Sequence, residues 1–472
     1  MRYLGMILAV VFMGWSLGCG GAERPPLEVP NGTRVIVEGS DTRPLVESGG
    51  SGWLGGAAGQ TRVFIGADGQ TYVGVWVDAP DQTVTVERAP MAVSLVVDTS
   101  GSMSGDKIAY ARMAASSLLE SLADGDIVSV YAFSNDVVEI APPTVLDPNS
   151  KSWLSQRVAM LQPQGGTNMY DGIRVGESRL AEAPATHAIR RLVVISDGRA
   201  NVGPSDPFQL GQLAANGTEW GVQVSAIGVG LDYDERTLAA LAVQSAGRLY
   251  HLEHPAQMAV ILQEELNLLA NTVATNAWIE IVPAQGVRVL DVMTPGASVE
   301  NGRVRMNLGS LHAGQSREVL FRAAVDTSSE GDRTLASARL VYREPGRSGA
   351  QQSQSVALSY GVTDDRDEVA RSQAPRVQAM VATHEASQAQ LRAVELLNEG
   401  RNEEAAVALD GAGRQLQVAA DAAPAAPAAA RLRRQAAEVQ QGSSRARRAT
   451  TPAESRATSL EMNDSAYGAM GY

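Results

Sequence analysis

The stretch Ala92-Val93-Ser94-Leu95-Val96-Val97-Asp98-Thr99-Ser100-Gly101-Ser102-Met103 runs from a nearly unbroken apolar segment into a turn of small and hydroxyl residues. Such a run predicts a strand over 92–97 covered on both faces, as in a mostly parallel sheet. After Asp106, residues Ile108, Ala111, Ala115, Leu118 and Leu122 recur at helical spacing. The same alternation continues downstream. Further strands are predicted at 127–133, 192–195 and 222–229, and helices at 151–161, 170–180, 208–215, 235–242 and 257–269. Residues 91–270 therefore read as a doubly wound α/β domain.

Chemistry gathers where these strands end. Asp98 closes the first buried strand and is followed by the hydroxyls of Ser100 and Ser102. Gln164-Gly165-Gly166-Thr167-Asn168 brings another hydroxyl in a glycine-permitted loop, and Ile195-Ser196-Asp197-Gly198 places a second carboxylate at the end of a second buried strand. All three loops lie on the edge at which open α/β sheets bind ligands. Helix capping and turn formation account for any one of them, but not well for five together. Carboxylate and hydroxyl oxygens, with no thiol or imidazole, suit a hard octahedral ion, hence Mg²⁺ with Mn²⁺ as a substitute.

These residues resemble the metal-ion-dependent adhesion site of the von Willebrand factor type A domain, whose pattern is Asp-x-Ser-x-Ser, then Thr, then Asp. The matching positions are Asp98, Ser100, Ser102, Thr167 and Asp197, in order and on the expected strands. The resemblance implies that Ser100 and Ser102 ligate the ion directly, Thr167 directly or through water, and Asp98 and Asp197 often through water. It also implies a protein partner that completes the coordination with a Glu or Asp, and coupling of the domain's last helix, 257–269, to the site.

The flanks differ in character. Segments 62–65, 72–77 and 83–87 read as strands, as do 278–282, 287–292, 304–308, 318–325, 335–342 and 355–362. Residues 271–363 are expected to form a β-sandwich, which the strands of 61–90 could join. Residues 364–420 read as a helical hairpin around Gly400; its segment 393–405 resembles one tetratricopeptide-type unit, although a plain αα-hairpin fits as well. The Ala/Pro-rich and polar segment 421–472 reads as a flexible tail.

The chain opens with Arg2, an apolar stretch 4–17 and Gly18-Cys19-Gly20, which has the form of an export signal. The junction resembles a bacterial lipobox, with Ser16 departing from the usual aliphatic residue. It implies a signal peptide over 1–18, acylation of Cys19, a tether over 19–60, and a lipid-anchored envelope protein. Gly20 resembles the residue of lipoproteins sorted to an outer membrane. An ordinary cleaved signal is the alternative.

Among 472 residues, 39 basic against 52 acidic side chains give a net charge of −13, which argues against nucleic acid as a partner. A single cysteine excludes a disulfide framework. No nucleophile-elbow, zincin or P-loop pattern occurs. His251-Leu252-Glu253-His254 reads as a strand-end turn more readily than as a zinc site. The expected function is metal-dependent protein binding without catalysis. The alternatives are a structural envelope role with a stabilising metal, and a metal-dependent hydrolase.

Overall fold

The computed structural model describes residues 52–81, 89–252, 261, 265, 268–345, 349–423 and 426–472. Cys19 with its leader, the segment 83–87 and most of 257–269 lie outside them. Among the described residues three strands precede the α/β region, β1 (Leu54–Ala58), β2 (Arg62–Phe64) and β3 (Gln70–Asp78). The expected tether thus already contains a strand. Its sequence, Leu-Gly-Gly-Ala-Ala, carries little β signal, but a Cβ at Gly55 would run into the Trp76 indole, so close packing selects glycine there.

The α/β sheet is ordered β6 (Val137–Val145), β5 (Ile127–Phe133), β4 (Met91–Asp98), β7 (Ile189–Ser196), β8 (Val222–Val229), β9 (Leu249–Leu252). All neighbours are parallel except β5 with β6. Every residue of β4 is buried, which explains its apolar run. Val93, Leu95 and Val97 pack with Ile108 and Leu118 of α1 (Asp106–Ser121) and Leu154 of α2 (Pro148–Ala159). On the other face Ala92 and Val96 meet Ile173 of α3 (Met169–Ala181), Leu210 of α4 (Pro207–Gly217) and Leu238 of α5 (Glu235–Gln244). Each right-twisted strand thereby hands its carboxyl end to a loop on one edge.

Strands from both sides of this domain share two further sheets. One is ordered β1-β3-β14-β11, with β11 (Arg288–Val292) and β14 (Ser316–Ala324). The other runs β12 (Ala297–Glu300), β13 (Arg303–His312), β10 (Thr272–Pro283), β15 (Gly331–Arg343), β16 (Gln351–Thr363), β2. Val75 and Phe321 from the first meet Ile279, Leu308 and Leu340 from the second in one apolar core. The α/β domain is accordingly inserted between β3 and β10.

Five helices follow, α6 (Arg366–Arg371), α7 (Pro375–Asn398), α8 (Asn402–Ala422), α9 (Ala426–Arg448) and α10 (Pro452–Ala469). The helix expected up to Asn398 is broken because Ala374, preceding Pro375, is extended. The expected flexible tail is corrected more substantially, since α9 and α10 occupy most of it. Leu432, Ala436, Val439 and Ala446 pack against Leu409 and Leu416 of α8, and a capping box between Thr451 and Glu454 starts α10. Composition suggested disorder, whereas alanine's helix propensity and this apolar spacing support packed helices.

Arg376 fastens α7 to the sandwich. Its Nη1 and Nη2 each donate to Asp78 at 2.7 Å, and the guanidinium lies 4.3 Å from the centre of the Trp76 ring. Arg376→Lys keeps the charge and loses the two-pronged fit. Because the pair is half-exposed, the expected cost is about 1 kcal/mol, read as a lower urea midpoint. An unchanged midpoint would mean that solvent screens the pair completely.

Candidate metal centre

The first loop is rigid because its own backbone and side chains satisfy one another. Asp98 Oδ1 accepts the Ser100 N–H at 2.8 Å, and the Ser100 and Ser102 hydroxyls lie 3.0 Å apart. Ser100 is buried while Ser102 reaches solvent. Asp98 Oδ2 accepts the Ser196 hydroxyl at 2.5 Å, and Ser196 Oγ accepts the Gly198 N–H at 2.8 Å. The first carboxylate is therefore wired to the loop that carries the second.

Thr167 arrives at the same edge through its neighbours. The Gly101 N–H donates to Gly165 O at 3.0 Å, and the Gln164 N–H to Thr99 O at 2.6 Å. Gly165 has φ +70°, which a side chain would strain. Asn201, four residues beyond Asp197, accepts the Thr167 N–H at 2.8 Å and returns its own N–H to Thr167 O at 3.1 Å. The structure thus ties together the three loops bearing all five predicted residues.

The electrostatics of this edge call for a cation. Asp98 and Asp197 are both wholly buried. Burial, with the Asp197 charge adding to it, pushes the Asp98 carboxyl up to about 6 against the opposing hydrogen bonds of Ser196 and Ser100. Asp197 Oδ2 has the Lys107 ammonium at 3.2 Å, whereas its Oδ1 is buried with no hydrogen-bond partner. A buried carboxylate oxygen without a donor costs free energy that a metal or metal-bound water would recover. Five oxygen donors, two of them charged, fit a hard divalent ion.

Ser196, Lys107 and Asn201 support the site without belonging to the five-residue pattern. Ser196 stands beside Asp197 and Lys107 lies in the first turn of α1, but contacts across 98 and 90 positions carry no local signal. His251 stacks on Tyr233 in β9, and Glu253 and His254 lie outside the described residues. Among the described residues no group of three or more His, Cys, Asp or Glu is placed to hold a metal.

Comparison with known proteins agrees with the α/β fold of this region. The family model of the von Willebrand factor type A domain matches residues 93–264. These residues are a von Willebrand factor type A domain. Such domains commonly mediate metal-dependent protein interactions. The solved von Willebrand factor type A protein from Catenulispora acidiphila superposes with a TM-score of 0.66 at 16% identity, covering 88% of this chain and 96% of that one. A paralogue of ArnB, VWA2 from Sulfolobus acidocaldarius, gives 0.57 at 17% identity, covering 88% and 97%. At these identities the likeness is one of fold, and it extends well beyond the type A domain. An uncharacterized Synechocystis sp. protein is 23% identical over 55% of this chain and 63% of its own length. Inter-alpha-trypsin inhibitor heavy chain H4 of Bos taurus is 26% identical over 43% of this chain, which spans only 22% of that relative.

Proposed function

We propose that this chain is a metal-dependent protein-binding module. Asp98, Ser100, Ser102, Thr167 and Asp197 hold one Mg²⁺, directly or through water, and the ion accepts a Glu or Asp side chain from a protein partner. The observation that carries this reading is the pair of wholly buried carboxylates, one of them with an unpartnered oxygen, beside two adjacent serine hydroxyls. When bound, the ion supplies an electrophilic centre held by only two formal charges. The chain's own residues orient the donors and bury Asp98, Ser100, Thr167 and Asp197 away from bulk water, leaving Ser102 open to it.

The surroundings favour a macromolecular ligand. Ser102 opens to solvent, and Phe208, at the start of α4 after the Asp197 loop, exposes 72% of its surface. Exposed aromatic side chains are enriched at protein-binding surfaces. The export signal and Cys19 place the module, in this proposal, on a lipid anchor in a bacterial envelope, where membrane attachment and partner capture are separate tasks. Among the described residues no helix is long and apolar enough to cross a membrane.

Calorimetry with Mg²⁺ provides the test, followed by capture from envelope extract with and without EDTA. One ion per chain, displaced by Mn²⁺, together with a partner released by EDTA, is the expected result. Absence of binding heat at saturating Mg²⁺ rejects the metal reading. A partner retained in EDTA moves the contact to the helical region.

A further inference from the structure

The loop after β8 borders the metal centre and is gripped by the last helix of the chain. Arg456, the fifth residue of α10, donates from Nε to Leu231 O at 2.9 Å and from Nη2 to Tyr233 O at 2.7 Å. The same guanidinium pairs with Glu235 through Nη1 at 2.9 Å and Nη2 at 2.7 Å. One planar fork therefore fixes three alternate residues of one loop, a geometry that lysine does not reproduce. One turn on, Leu460 is wholly buried in the type A core with Tyr233 and Leu238.

That loop in turn holds Asp197. The Asp234 N–H donates to the Asp197 carbonyl at 2.9 Å, and a Cβ at Gly198 would lie 3.0 Å from Asp234 O, so the two segments are in close contact. Asp232 shares the Lys107 ammonium with Asp197, at 3.4 Å and 3.2 Å, and its carbonyl accepts Arg199 Nε at 2.8 Å. Displacing 231–235 would shift both the backbone of Asp197 and the cation that neutralises its side chain.

We infer that α10 is part of the metal centre, with Arg456 as a positioning residue that sets Mg²⁺ affinity through the 231–235 loop. This rests on the metal reading proposed above. By reciprocity, the ion stiffens the junction between the type A domain and the helical bundle. Ion occupancy at one edge is thereby communicated to helices that sequence order places after the whole sandwich.

The test compares Mg²⁺ titrations of the full chain, R456A and R456K with amide exchange of the natural chain in EDTA and in saturating Mg²⁺. R456A is expected to weaken Mg²⁺ about 10-fold, the low end for residues that orient ligands from outside the coordination shell, and R456K to weaken it less. In the natural chain Mg²⁺ slows exchange over 231–236 and 456–460. A natural chain that binds no Mg²⁺ overturns the metal reading and this inference with it. Natural binding with unchanged affinity in R456A overturns this inference alone, as does an R456A chain that melts lower in EDTA yet gains the same increment from Mg²⁺. If R456A does not fold, R456K and the exchange experiment decide, and absent protection at both segments overturns the inference.

Discussion

In EDTA at pH 7.5, Asp98→Asn is expected to be more stable than the natural protein, and in saturating Mg²⁺ to lose that advantage. Asp98 is buried beside Asp197, and its carboxyl is raised from 3.8 to about 6. A raised folded-state pKa contributes stability that is fully present below about 4 and is lost as pH rises through 6. At pH 7.5 the ionised group thus costs about 3 kcal/mol, which the isosteric amide avoids. The amide oxygen still accepts the Ser100 N–H, and the Ser196 hydroxyl reverses to accept from the new NH₂. Mg²⁺ affinity, however, falls by at least about 100-fold, because one of two charges is gone and the other oxygens lose their anchor. Thermal melts with EDTA and Mg²⁺ should therefore change order. A variant less stable in EDTA, with an undiminished gain from Mg²⁺, would show that Asp98 is a structural residue outside any metal site.

A second large effect is expected away from that edge. Glu177 on α3 is buried against Gly217 of α4, and its Oε1 has no hydrogen-bond partner. Burial pushes its carboxyl from 4.5 up to about 8. It folds in the neutral form at pH 7, and its contribution to stability, complete below about 4.5, is lost as pH rises through 8. Glu177→Gln has nearly the same shape and does not titrate. The variant should match the natural protein near pH 4.5, exceed it by about 3 kcal/mol at pH 7 and by about 5 kcal/mol at pH 9. Urea unfolding at these pH values measures the divergence. Parallel stability curves would mean that water or local opening already solvates Glu177.

The parts of the fold legible in the sequence are those whose burial is uniform or strictly periodic. β4 is buried at every position and appears as an apolar run; β5 and β8 alternate more but keep the same character, and the core face of α1 follows equally clearly. β6 is hard to see in the sequence: Pro142 and Pro143 interrupt it, which an edge strand tolerates where a central one does not. β1 was hidden by its glycines, and α9 by an alanine-rich composition that suits disorder and helix alike. The Thr451-x-x-Glu454 capping box is a local signature in that segment that marks the start of α10.

The candidate site divides in the same way. Asp98, Ser100 and Ser102 sit within five residues, and Thr167 and Asp197 follow helix-start and strand-end signals. Their supporting contacts are long-range. Arg456 meets Glu235 across 221 positions, a juxtaposition created by tertiary packing with no local pattern to announce it.

The insertion between β3 and β10 also determines how a tug on a captured partner would travel. β3 belongs to the four-stranded layer and β10 to the six-stranded one. The chain thus enters the type A domain from one layer and leaves it into the other, so tension applied at the rim that carries Asp98 and Asp197 is shared between two covalent connections, beside the grip of α10, instead of a single hinge. The sandwich serves as a clevis, and its interlocked core, more than either connecting segment, bears the strain.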